Sequence, residues 1–294
     1  MKLKTFFLYF IYLIGVFIFF IYILFPQQKA GEILSSKINN EIFPDLKVNI
    51  EKVKPVLFFS VKIKNSEIIL DNNSVINLDS ITLSPSIISL FKKEKKIKFK
   101  IHAYKGTLKG VISAPYKNIL SNLFLELDLD SFNFKNIKYK TKIGDINLGF
   151  IANAECKHQI SSINDYGIGN GNINISECIA KINSDNFFIK QIEKEQFNFK
   201  KINIQYKIKK KRLELLKCSA DSDKMKINVK GELLLKKSFK KSIINLKGEL
   251  QIAPSFLSEF TNLSPVRILF KNSKLQGIPF NITGTIENPK IRVM

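Results

Sequence analysis

The side chains in this 294-residue chain that could do acid–base, metal or thiol chemistry are few and scattered. His102 and His158 are the only histidines, and neither stands at a spacing from carboxylates or thiols that builds a metal site. No G-x-S-x-G elbow, P-loop or H-E-x-x-H motif occurs. Gly167-Ile168-Gly169-Asn170-Gly171 has the look of a phosphate loop, but Asn172-Ile173-Asn174-Ile175 then alternates like a strand instead of opening a helix. Its glycines are expected to serve a turn or bulge. Asp128 and Asp130 project from one face of a strand that carries leucines on the other, and are expected to be solvated. No catalytic residue, cofactor site or metal ligand is assigned, and the chain reads as non-enzymatic.

Cys156, Cys178 and Cys218 are an odd number for a disulfide framework. Cys156 and Cys178 flank the Gly-rich stretch, so a cross-strand bridge between them is geometrically possible if their Cα atoms fall within about 7 Å. The alternative is three thiols acting as small hydrophobes.

The elements that position these residues begin with Phe6 to Phe25, a run of apolar and aromatic residues interrupted only by Gly15. At about 1.5 Å per residue it spans roughly 30 Å, the thickness of a bilayer core. A signal peptide has a shorter core, about 7–15 residues, and a small-x-small cleavage site, which Phe25-Pro26-Gln27-Gln28-Lys29-Ala30-Gly31 does not supply. The segment is read as an uncleaved membrane anchor over residues 6–25, with Phe6, Phe17 and Phe25 as residues of that anchor. Lys2 and Lys4 precede it and only Lys29 closely follows, which places residues 1–5 in the cytoplasm. The rest is then expected in the periplasm of a bacterium.

The formal net charge of +22 would ordinarily suggest nucleic acid or an anionic membrane. The basic residues are nearly all lysine, the arginines being Arg212, Arg267 and Arg292, and there is no tryptophan. Base and phosphate recognition favours arginine forks and stacking aromatics, so no nucleic-acid partner is expected. Lysine is read as the default solvated surface residue, with attraction to lipid headgroups as the alternative. Lys92-Lys93-Glu94-Lys95-Lys96 reads as a polar turn between strands.

After the anchor, residues 26–44 form a juxtamembrane segment, with Ile33, Leu34 and Ile38 near helical spacing and Phe43-Pro44-Asp45 as its end. From residue 45 to 294 the period becomes two. Leu46, Val48 and Ile50 alternate with polar residues, as do Leu123, Leu125, Leu127 and Leu129, and Ile202, Ile204, Tyr206 and Ile208. Such alternation predicts strands with one apolar and one wet face in a mostly antiparallel sheet. Turn signals such as Asp71-Asn72-Asn73, Tyr104-Lys105-Gly106 and Asn164-Asp165-Tyr166-Gly167 separate the runs. Short helical turns are expected at Ser84–Phe91, Asn118–Asn122 and Pro254–Asn262. The fold class is mainly β: one elongated, curved body, as an open groove or a sandwich.

A set of strand-and-turn motifs then carries a resemblance. After the anchor ending Phe25-Pro26 come Val53-x-Pro55, Ser84-Pro85-Ser86-Ile87-Ile88-Ser89-Leu90 and Tyr104-Lys105-Gly106-Thr107-Leu108-Lys109-Gly110. Val229-Lys230-Gly231-Glu232-Leu233 and Ile282-Thr283-Gly284-Thr285-Ile286-Glu287-Asn288-Pro289 follow. This order resembles protein N of type II secretion systems in its deltaproteobacterial and spirochaete form, which is similar to the AsmA-like envelope proteins. The family's paired glycines at the tight turn are replaced here by Lys105-Gly106. The resemblance implies a non-enzymatic accessory part of the secretion machine in the inner membrane, with other secretion-system proteins as partners. The AsmA-like alternative implies binding or transfer of phospholipid along an apolar β groove.

Overall fold

The computed structural model describes residues 3–42, 47–56, 59–70, 74–116, 122–140, 145–160, 166–183, 196–236, 238–259 and 277–294. An apolar helix, α1 (Leu3–Leu24), leads into α2 (Gln27–Lys37) and a π-helical turn, Ile38–Ile42. Pro26 forces Phe25 out of helical geometry, so α1 stops one residue short of the expected anchor. Fourteen strands follow, in an open sheet whose spatial order is the order of the chain. They are β1 (Lys47–Val56), β2 (Ser60–Leu70), β3 (Ser74–Pro85), β4 (Glu94–Ala103), β5 (Gly106–Pro115), β6 (Leu123–Lys140) and β7 (Asp145–Ile160). The rest are β8 (Ile168–Asn183), β9 (Gln196–Lys209), β10 (Arg212–Ser222), β11 (Met225–Leu234), β12 (Ile243–Ile252), β13 (Ile278–Thr285) and β14 (Pro289–Val293). The described residues therefore form a single sheet, not the two of a sandwich. Short helices lie at α3 (Ile87–Leu90) and α4 (Pro254–Glu259), within two of the expected helical turns. The expected signals at Phe43-Pro44-Asp45 and Asp71-Asn72-Asn73, and residues 118–121, lie outside the described residues.

The chain divides into two compact units. The first holds residues up to Lys92 together with Ile97–Ala103. Its core is Ile50, Val53 and Ile63, against which Phe25, Ala30, Leu34 and Ile38 pack. Phe25 thus belongs to this core as well as to the end of the apolar run. Gly31 lets α2 approach the β1 backbone, since a Cβ there would stand 2.7 Å from the Ile50 carbonyl oxygen. β1 is an outer strand, and α2 satisfies its free edge. The Val48 amide donates to Asn39 Oδ1 at 2.7 Å, Asn39 Nδ2 donates to the Val48 carbonyl at 3.0 Å, and the Ile50 amide donates to Ser35 Oγ at 2.9 Å. A sheet edge occupied in this way cannot template another strand.

The second unit holds Lys93–Lys96 and everything from Tyr104. Its outermost strand, β14, is short, begins with Pro289, carries Lys290 and Arg292, and is exposed throughout, which guards that edge by composition. At Tyr104-Lys105, both residues have positive φ, 50° and 62°, as the two central positions of a tight hairpin turn require. Gly106 starts β5, where a Cβ would stand 2.6 Å from the Asp130 carbonyl oxygen.

Candidate functional site

The second unit presents an apolar face that runs without interruption from strand to strand. Because residues paired across an antiparallel ladder point to the same side, the registers define its rungs. One rung runs Gly110, Leu127, Cys156, Gly171, Tyr206, Leu215, Gly231, Leu246, Ile282 and Ile291. The next runs Leu108, Leu129, Ala154, Ile173, Ile204, Cys218, Val229, Gly248, Phe280 and Val293. A third joins Phe132, Ala152, Ile175, Ile202, Ala220, Ile227, Leu250 and Ile278. No aspartate, glutamate, lysine or arginine stands on these three rungs. Ile173, Ile175, Ile202, Ile204, Ile227, Val229 and Leu250 are only half-buried, the state of side chains that touch their ladder neighbours with no layer above them among the described residues.

Bulges keep the face aligned. In β6 the apolar positions pass from odd numbers, Leu127 and Leu129, to even ones, Phe132 and Phe134, because Asp130 and Ser131 together oppose the single residue Asn153. Ser131 takes φ 56°, and its amide donates to Asn153 Oδ1 at 2.8 Å. The same change of parity occurs in β10 between Leu215 and Cys218. Each extra residue restores the apolar set to one side, as a bulge does. Beyond the first bulge Tyr104, Phe132, Phe134 and Phe150 form a chain of rings with centroids 5.0–6.1 Å apart. Nearby in register, Phe197 meets Phe256 of α4 edge-on at 5.9 Å, with Lys224 Nζ over both rings.

The Gly-rich stretch serves this face. Gly167 ends a turn at φ 69°, as expected, but Gly169 and Gly171 lie inside β8 and form neither turn nor bulge. A Cβ at Gly169 would strike the His158 ring, and one at Gly171 the Tyr206 ring. Gly248 stands in the same relation to Phe280. Strand glycines covered by a ring from the neighbouring strand recover buried area that a glycine alone forfeits.

His158 is held by a hydrogen bond from its Nε2 to the Tyr166 carbonyl, and His102 pairs with Ser80 in the first unit. Among the described residues no group of histidine, cysteine and acidic side chains could hold a metal ion. Of the two arrangements open to the cysteines, the structure has the three free thiols, with no bridge between Cys156 and Cys178. Cys156 stands opposite Gly171 and Cys178 opposite Phe199. Gly171 and Cys178 are themselves separated by about 23 Å of extended β8, at roughly 3.3 Å per residue, well beyond disulfide reach. Burial pushes the Cys178 and Cys218 thiols up from their ordinary value, so both act as small hydrophobes in the face. Burial, reinforced by the neighbouring Cys156, also pushes the Tyr206 phenol well up.

The opposite face is polar. Asn153, Asn174, Asn203, Ser219 and Asn228 succeed one another across five strands, and Asp128 stands between Lys109 and Glu155. Asp128 and Asp130 are exposed, as their alternation with leucines implies. Lys92 and Lys93 lie in the turn before β4, which Glu94 opens. The exposed pairs Lys157–Glu126 at 3.3 Å and Arg212–Glu232 at 3.2 Å are of the kind that contributes little to stability. The apolar side, with its uninterrupted rungs, is the surface that could hold something.

α1 contributes the second feature: residues Thr5–Leu24 are long and apolar enough to cross a membrane. Phe6 and Phe17 are exposed on it. Comparison with protein-family models, with curated proteins and with solved structures finds no match for this chain.

Proposed function

We propose that this chain is a non-enzymatic, single-pass inner-membrane protein whose β body, in the periplasm of a bacterium, holds phospholipid acyl chains along its apolar face. The observation that supports this reading is the run of charge-free rungs from β5 to β14 with no covering layer among the described residues. A partner of matching chemistry gains by covering an apolar surface of that continuity. A spanning helix in the same chain would bring such a partner, the lipid of the bilayer it enters. Lys2 and Lys4 support the orientation.

A second reading follows the resemblance to protein N of type II secretion, in which the same face takes a protein of the secretion machine. What favours it is that the resembling motifs occupy special backbone positions: Gly231 and Gly284 adopt φ 141° and 100°, and Tyr104-Lys105 makes the tight turn.

One experiment separates the two. A photo-crosslinking amino acid placed at 204 in the full chain, and in a second variant at 203, is irradiated in cells. Phospholipid adducts at 204 and none at 203 are expected. A protein adduct at 204 would transfer support to the secretion reading, and no adduct at either position would overturn both.

A further inference from the structure

The first unit carries a second surface, on the side of its sheet that α2 leaves open. Val53, Ile63 and Ile81 lie in register beneath α2, so the alternate row, Lys54, Lys62, Thr82 and Lys100, faces the other way. The next row on that side continues with Ser60, Ser84 and Lys98, and Ser60 Oγ donates to Ser84 Oγ at 2.9 Å. Lys54 and Lys62 are direct cross-strand partners, an arrangement of like charges that is unfavourable unless an anion lies over it. No acidic side chain pairs with Lys54, Lys62, Lys98 or Lys100 among the described residues.

This row sits at the end of the sheet where the anchor arrives. Gly31 of α2 rests on Ile50 and Glu51, Ser35 on Ile50 and Asn39 on Val48, so α2 runs antiparallel to β1. The start of α2, with α1 before it, therefore lies toward the Val53–Val56 end of β1. The same end carries exposed apolar side chains in two connections. Phe59, in the β1–β2 turn, is 80% exposed; Ile88 and Phe91, in and just after α3, are 71% and 89% exposed. Aromatic and aliphatic tips beside lysines, at the root of a spanning helix, have the composition of a membrane interface.

We propose that this strand end is a second membrane contact: Phe59, Ile88 and Phe91 enter the interface of the bilayer that α1 crosses, while Lys54, Lys62, Lys98 and Lys100 meet anionic phospholipid headgroups. The contact rests on the single-pass reading of α1 proposed above, and is independent of what the face of the second unit binds.

The chain has no tryptophan, so Phe91→Trp provides a sole indole at a fully exposed site where folding is not at stake. The full-length variant is placed in nanodiscs of phosphatidylcholine, alone or mixed with phosphatidylglycerol, with and without brominated acyl chains. Expected are a blue-shifted emission and loss of intensity on bromination, larger in the anionic discs and reduced by salt. Adding Lys54→Gln, Lys62→Gln and Lys100→Gln should lower quenching in anionic discs to the zwitterionic level, and Phe59→Trp should repeat the result. Water-like, unquenched emission from both indoles would overturn the proposal. Quenching indifferent to the three lysines and to salt would overturn its headgroup half.

Discussion

Tyr206 lies across Gly171, close enough that a Cβ on the glycine would stand 2.4 Å from the tyrosine Oη and 2.5 Å from Cζ. Alanine in a strand is ordinarily better than glycine, but here the ring occupies the space. Gly171→Ala is expected to lower stability by about 1–3 kcal/mol, the cost of an overpacked site. In a Tyr206→Val background the same change should be neutral or favourable, which thermal unfolding of the double-mutant set in detergent would decide.

Adjacent residues of β9 belong to opposite faces. Ile204 touches Ile173 and Cys218 on the apolar side, while Asn203 stands between Asn174 and Ser219 on the polar one. Ile204→Asp is expected to cost roughly 1–3 kcal/mol, and Asn203→Asp well under half of that. Equal unfolding temperatures would reject the facing.

The Cys178 and Cys218 thiols and the Tyr206 phenol have a common pH consequence. Their ionisation is pushed up in the folded protein, so they keep protons that the unfolded chain releases. Their effect is constant below the ordinary thiol value of 9.0, and stability falls as pH rises above it. Denaturant titrations at successive pH values should show this decline, diminished in Cys178→Ala and Cys218→Ala. Thiol labelling of the denatured chain without reductant should count three free cysteines, the number present in the fold.

Asn39 makes two hydrogen bonds to Val48 at the free edge of β1. Asn39→Ala leaves that amide and carbonyl to water or to another strand. A loss of about 1–3 kcal/mol is expected, with faster hydrogen exchange at Val48 and greater aggregation on heating.

The anchor is tested at Phe17, which is exposed near the middle of α1. Phe17→Lys should disfavour insertion by roughly 2.5–3.5 kcal/mol and reduce the membrane-bound fraction of the chain. Unchanged fractionation would mean that the segment does not span.

Much of this architecture is legible in the residues alone. The long apolar helix follows from uninterrupted apolar composition, and the strands from their period of two, because the side on which a side chain emerges is set by the local pleat. The turns at Tyr104-Lys105 and Gly167, and the solvated Asp128 and Asp130, follow from the same local rules. Even the bulges leave a trace, in the shift from Leu129 to Phe132 and from Leu215 to Cys218.

Register is different, because it is settled by the sum of pairings between segments distant in sequence. Only the assembled sheet sets Cys156 opposite Gly171 and far from Cys178, turns the glycines of β8 into seats for His158 and Tyr206, and brings Phe25 and α2 onto β1. The period of each strand supplied an apolar side to every segment; tertiary structure aligned those sides into one continuous face.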